Sequence, residues 1–296
     1  MRAVRERGSY LLYLAPGALL VLAVVLVPFG MNVGISFTEW SGVGEPEWTG
    51  LDNYGRLLSD GTFWASFRHN LALVVAMAVL PTLAGLVVAA TLVDYIGKHF
   101  GARQAAVLRA CVYLPQVLPI AVAGIVWSWI LAPKDGALNA ALRALGLEAL
   151  ARNWLGDPDL ALWSLMGVLL WMQLGYPVVI FMAGMSRLDP ALHEAAELDG
   201  ASWWGRFRHV TVPGLRPEIF VVLLTCTIAA LKVFAPIYVL TRGGPAGATN
   251  VPAYYSFQNF FERTRVGYGA AIATVLTVLV LVLTAVFLRV QQRGER

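Results

Sequence analysis

The sequence predicts an all-α integral membrane protein with six spanning helices and both termini in the cytosol. Three observations carry this. The 296-residue chain is 58% apolar and 14% charged, where a soluble domain carries about 25% charge. Six apolar runs each reach about 20 residues, the length that crosses a ~30 Å hydrocarbon layer as a helix. Lysine and arginine concentrate in alternate connecting segments, as they do on the cytosolic face of a membrane.

The runs are Leu11–Met31, Leu71–Val93, Ala110–Leu131, Leu160–Ser186, Ile219–Leu240 and Val266–Leu288. None contains an acid, and only the fifth contains a base, Lys232. Any one run could be a buried helix of a soluble domain. The remaining charges are too few to give six such helices a water-facing coat. The ten-residue alternation of a membrane β-barrel is missing. Arg2, Arg5 and Arg7 ahead of the first run also suit a signal peptide. That run is longer than a usual signal core, however, and no A-x-A-like cleavage pattern follows Phe29, so an uncleaved span is expected.

With the N-terminus inside, residues 1–10, 94–109, 187–218 and 289–296 face the cytosol and hold 13 Lys/Arg against eight Asp/Glu. The outside segments hold eight against ten. Glu39, Glu45, Glu47, Asp52 and Asp60 supply half of that acid in the first outside loop. The net charge of +4 therefore reports topology. No basic patch interleaved with aromatics points to nucleic acid.

Residues 32–68 are expected as an outside loop with short interfacial elements. Its Trp40, Trp48, Phe63, Trp64 and Phe67 suit either a headgroup belt or packing onto neighbouring helices. In the second outside segment, 132–159, Ala140–Gly146 reads as a short helix ended by its glycine, and Asp157-Pro158 as a helix start. Pro81, Gly85, Pro115, Pro119, Gly175, Pro177 and Pro236 interrupt the spans, which is tolerated where helices pack or line a cavity. The halves show no repeat of the kind that inverted-repeat carriers carry.

The segment between the fourth and fifth runs is the most ordered of the loops. Asp189 is a good N-cap and Pro190 a good first helical residue. Ala191–Leu198 is a strong helix-forming run. Gly200 ends it. A second stretch, Ala201–Val210, puts Trp203, Phe207 and Val210 on one side, and Pro213 and Pro217 lead into the fifth span. The residues alone leave two readings open: a connecting loop with an interfacial helix, or a docking knob for a cytosolic partner.

Glu194-Ala195-Ala196 followed by Asp199-Gly200-Ala201, Phe207, Pro213 and Pro217 resembles the EAA loop of ABC importer permeases. Leu188-Asp189-Pro190 ahead of it makes the sugar type the best match. Further matches are Gly50-Leu51-Asp52-Asn53-Tyr54, Asn70, Trp171 with Gly175-Tyr176-Pro177, and Thr241–Thr249 around Gly243-Gly244-Pro245. Tyr13-Leu14-Ala15-Pro16 resembles the start of one of the two unlike permeases of such systems, in a generic six-span form without the large outside insertion of the maltose type. The resemblance implies one transmembrane permease domain over 1–296, with the coupling loop at 187–217. It implies a second, non-identical six-span permease, a cytosolic ATPase dimer using ATP and magnesium, and an extracytoplasmic solute-binding protein, all in a prokaryotic inner membrane. Glu194, Ala195, Ala196, Asp199, Gly200 and Ala201 would then form the ATPase-coupling element. The solute would be a sugar or sugar-like molecule. Glycerol phosphate, an amino acid, a peptide, or a self-contained secondary carrier are the alternatives.

Polar and aromatic groups inside a span are pathway candidates. The fourth run offers Trp171, Gln173, Gly175 and Tyr176, of which the resemblance implies solute contact for Trp171, Gly175 and Tyr176; Gln173 could equally bond across the bundle. The fifth offers Thr225, Thr227 and Lys232. That lysine must be paired, snorkel or face water. Gln258 and Asn259 are weaker candidates. No phosphate-binding GxxxxGK[ST] loop, HExxH or GxSxG occurs, so no catalytic residue, metal or cofactor is expected in this chain. Cys111 and Cys226 read as small apolar packers. Paired acids or a histidine cluster, which a proton-coupled carrier or intramembrane enzyme would need, are missing from the spans.

Overall fold

The computed structural model describes residues 13–294. Arg2, Arg5, Arg7 and the first residues of the first run lie outside the described residues. Among the described residues, four helices are long and apolar enough to cross a membrane: α1 (Tyr13–Ile35), α3 (Gly61–Ile96), α7 (Pro158–Met185) and α13, which runs Val266–Gly294. Two bent helix pairs bring the number of spans to as many as six.

The third run is one such pair. α4 (Ala102–Val117) and α5 (Ile120–Ile130) meet at 98°, where a single span over Ala110–Leu131 is expected. Pro119 is the cause. A residue before proline is excluded from the helical region, and Leu118 is extended at φ −66°, ψ 131°. The fifth run is also interrupted. α10 (Arg216–Leu231) stops at Lys232, and α11 (Ala235–Leu240) restarts with Pro236 in its first turn. α3 begins ten residues earlier than expected and, at 36 residues, is about 54 Å long. It carries the aromatic cluster with it: Phe63 is buried against Trp64 and Phe67, as the packing reading expects, while Trp64 stays exposed.

The chain divides into two compact units. One comprises the chain through Gly61 together with Tyr255–Val278. Here α1 leads into a two-stranded hairpin, β1 (Thr38–Glu39) with β2 (Glu47–Trp48), paired Thr38 to Trp48. α2 (Asp52–Ser59) follows. The Asn53 side-chain amide donates to the carbonyls of Ser36 and Thr38 at 3.0 and 2.9 Å, and Tyr54 shares a 2.6 Å hydrogen bond with Ser36. Gly50–Tyr54 is thus a clip that seats the hairpin on α2. Asn32 near the end of α1 donates to the Ala270 carbonyl and the Thr274 hydroxyl on α13.

A carboxylate lies at the centre of this unit. Asp60 Oδ2 accepts from the hydroxyls of Tyr255 and Tyr268, both at 2.6 Å. Arg263 lies over the Tyr255 ring. Burial first, and the hydrogen bond to Asp60 second, push the Tyr255 hydroxyl above its usual range. Its folded value exceeds its unfolded one, so the contribution to stability is complete below about pH 10 and is lost as pH rises through the folded value. A spectrophotometric titration should show a tyrosine ionising above the ordinary range in the native protein, and Asp60→Ala should bring it down.

The second unit comprises Thr62–Tyr254 and the chain from Leu279 onward. Its core joins α3 through Ala78, Leu86 and Ala89, α7 through Val178, Phe181 and Met185, and α10 through Val222 and Cys226, with Phe207 and Leu215 below. α6 (Ala137–Ala144) lies in the segment 132–159, close to where the sequence places it. Buried Asn139 organises that segment, donating to the carbonyls of Pro133 and Arg152 and accepting from the Trp154 indole. Asp157 caps α7 as expected. Cys226 is a buried packer, as expected, whereas Cys111 is exposed in the isolated chain.

Candidate functional site

Two groups of residues stand out, both within the second unit. The first is the loop that charge assigns to the cytosol. α8 (Pro190–Leu198) starts on Asp189, whose carboxylate accepts from the Ala191 amide at 3.0 Å. It ends in a Schellman turn: the Gly200 amide donates to the Glu197 carbonyl and the Ala201 amide to that of Ala196, at 3.0 and 2.9 Å. This closure needs the left-handed backbone that glycine adopts freely, and Gly200 has φ +77°. Ser202 then caps α9 (Trp203–Gly214) by accepting from the Gly205 amide.

The knob is rigid on one side and open on the other. Trp203 stacks on Phe207 with ring centres 5.4 Å apart, and buried Phe207 enters the core. His193 shares a 3.2 Å hydrogen bond with Thr211, tying α8 to α9. Arg187 pairs with Glu218. A single buried residue, Leu215, separates α9 from α10, and the two helices meet at 72°. On the open side, Glu194, Ala195, Asp199 and Gly200 are exposed, while Ala196 and Ala201 are half-buried within the turn. Sequence reasoning missed the apolar part of this surface. Leu198 is 89% exposed, and Leu192 on the same helix and Trp204 on α9 are exposed as well. The signal was present, since Leu198 shares a helix stripe with Ala191 and Ala195.

The second group lies along the spans. Tyr176 on α7 shares a 3.1 Å hydrogen bond with Thr225 on α10, and Gln173 donates to the Cys226 sulfur at 3.2 Å. Trp171 meets Trp127 of α5 edge to face at 5.4 Å. Trp127 was not singled out from sequence, because α5 is apolar apart from Ser128 and only tertiary packing brings it to Trp171. Gly175 permits a close approach: a Cβ there would lie 2.8 Å from the Tyr113 Cα on α4. Thr227 is half-buried on α10. Lys232 caps α10 and is exposed, with no ion pair among the described residues. The structure thus joins Gln173, Tyr176 and Thr225 into one α7–α10 seam, extends Trp171 toward α5, and leaves Lys232 apart. The weaker candidates Gln258 and Asn259 belong to the first unit, where buried Asn259 donates to the Tyr255 carbonyl.

Thr241–Thr249, also matched in sequence, builds a closed turn. The Thr249 hydroxyl contacts both the Thr241 hydroxyl and the Gly244 carbonyl at 2.7 Å. Among the described residues, no group of three or more His, Cys, Asp or Glu side chains could hold a metal ion.

Comparison with known proteins bears on both groups. The sequence model of the family described as binding-protein-dependent transport system inner membrane component matches residues 83–296. A probable ABC transporter permease protein of Pyrococcus horikoshii is 33% identical over 100% of this chain and 99% of its own length. The trehalose/maltose transport system permease protein of Thermococcus litoralis is 33% identical over 97% of this chain and 94% of its own. A chain of a bacterial alginate ABC transporter, solved with an alginate pentasaccharide-bound periplasmic protein, superposes with a TM-score of 0.84. It covers 100% of this chain and 98% of its own at 20% identity, which establishes a shared fold. The matches span both the helix–glycine–helix knob and the α7–α10 seam, and on them this chain belongs to the family of binding-protein-dependent transport system inner membrane components.

Proposed function

We propose that this protein is the permease half of an ABC importer for a sugar or sugar-like solute, working beside a second, non-identical six-span permease. Solute arrives on an extracytoplasmic binding protein. A cytosolic ATPase dimer, which carries the ATP and magnesium, docks on the knob through Glu194, Ala195, Ala196, Asp199, Gly200 and Ala201. The observation that carries this reading is the knob itself. Leu192, Leu198 and Trp204 are exposed on the same two helices as the exposed Glu194 and Asp199, while the hydrogen bond of His193 with Thr211 ties α8 to α9 and Phe207 anchors α9 in the core. Exposed apolar side chains rimmed by charge mark a protein-binding surface. The sugar assignment draws on the sequence pattern and on the relative named for trehalose and maltose.

The test is co-purification. A tagged chain extracted in mild detergent should bring down a second six-span protein and an ATPase. ATPase stimulation by binding protein loaded with candidate solutes then names the cargo. Recovery of the chain alone, even after cross-linking through a cysteine placed at Ala201, would favour a self-contained carrier.

Trp171, Gln173, Gly175, Tyr176, Thr225, Thr227 and Lys232 are the proposed pathway residues. The aromatic face of Trp171 is 38% exposed and suits stacking on a sugar ring. Trp171→Ala should raise KM for uptake about three- to tenfold, the worth of one aromatic contact, with the complex still assembled. An unchanged KM would return Trp171 to a packing role against Trp127.

A further inference from the structure

We infer that Lys232 reads charge in the solute pathway and that the solute is an anionic sugar, one bearing a carboxylate, sulfonate or phosphate. This rests on the importer reading and narrows it to a substrate class.

The argument is one of missing counter-charge. α10 is 16 residues long, so Lys232 stands about 24 Å from its cytosolic end, inside a ~30 Å hydrocarbon layer. A lysine there is costly unless paired or wet. No acid exists in any of the six apolar runs to pair it, and it makes no ion pair among the described residues. The carbonyl end of α10 beside it offsets only part of a full charge. The remaining partners are water, reached directly or by snorkelling, an acid of a partner subunit, or something that passes through, and the last is the one proposed.

The position is held in place by its surroundings. Buried Asn70 on α3 donates to the Ala230 carbonyl at 3.0 Å. The Lys232 and Val233 amides turn back on Ile228 and Ala230 at 3.2 Å. Beyond the break, Phe234 stacks on Tyr238 with ring centres 5.6 Å apart, and Tyr238 is 40% exposed. The Lys232 backbone is thereby fixed, and its ammonium is tethered six residues from an accessible aromatic face, that of Tyr238. A sugar ring stacks on the aromatic face, and a negative substituent pairs with the ammonium. An uncharged sugar has no use for the ammonium.

The experiment uses the complete transporter with its binding protein in proteoliposomes. The probes are digalacturonate, a hexose phosphate and a hexose sulfonate, each beside its uncharged counterpart (the methyl ester or the free hexose). The native transporter should take up at least one charged probe in preference to its counterpart. Lys232→Met should raise KM for that probe about ten- to hundredfold relative to the counterpart, the worth of a charge-assisted hydrogen bond, and Lys232→Arg should restore it. Equal handling of charged and uncharged probes by native protein and Lys232→Met would overturn the inference and leave the sugar importer standing. Loss of the assembled complex in Lys232→Met, rescued by Lys232→Arg without any change in charge preference, would also overturn it, because the counter-charge would then lie in a partner subunit. ATPase stimulation only by a binding protein loaded with a non-sugar would remove the importer reading beneath it.

Discussion

Gly200→Val is expected to leave the chain in the membrane and to reduce coupled transport by at least about tenfold. The cost is local. An L-residue held in the left-handed region loses about 1–2 kcal/mol, and a β-branched one lies at the unfavourable end. Each 1.4 kcal/mol is a factor of ten in the equilibrium constant between the closed and the open turn. A Cβ at Gly200 meets no atom of this chain within 4 Å, so within the chain the effect comes from backbone conformation and not from a clash at the Cβ. When the turn opens, the Gly200 and Ala201 amides release Glu197 and Ala196, and α8 swings away from α9. The measurement is ATP-driven uptake together with recovery of the ATPase on a tagged chain. Gly200→Asn, which tolerates the same backbone better, should recover part of the loss. Full uptake by Gly200→Val would remove the coupling role from this loop.

Asp60→Ala should destabilise the first unit by about 3–5 kcal/mol. Two hydrogen bonds to an ionised acceptor are lost, each worth about 1.5–3 kcal/mol. Two tyrosine hydroxyls, on residues only 4% and 3% exposed, lose the acceptor they shared. Tyr255→Phe removes one bond and leaves no orphan hydroxyl of its own, so it should cost clearly less. Thermal unfolding in detergent and protease sensitivity of the outside loop would rank the two variants. A smaller loss from Asp60→Ala than from Tyr255→Phe would contradict the shared-carboxylate arrangement.

Features set by near neighbours in sequence were legible, and those set by distant ones were not. The knob is the clear case. Asp189, Pro190, Gly200 and Ser202 act on amides two or three residues away, so α8 and its turn follow from residue type. The apolar runs located the spans for the same reason. They did not give direction. Pro119 and Pro236 were visible, but a count of apolar residues passes through a 98° corner as readily as through a straight helix. Asp60 is separated from Tyr255 and Tyr268 by 195 and 208 residues, and nothing local to Asp60 announces them. Trp127 likewise acquires its meaning only from Trp171, and Asn70 only from Ala230.

The single-residue joint at Leu215 makes α9 and α10 the two arms of a crank. Leu215 is fully buried, and Arg187, in the turn after α7, pairs with Glu218 on α10, so the start of α10 is tied to α7; on the proposed coupling, a push on the knob turns the longer arm. With α10 about 24 Å long, a tilt of about 10° at the corner sweeps its far end through roughly 4 Å. That is the width of a sugar ring. The far end is the break that carries Lys232, and the short, separate α11 beyond it does not have to follow. On the proposed coupling, a stroke delivered in the cytosol arrives, without gearing, as a displacement of Lys232.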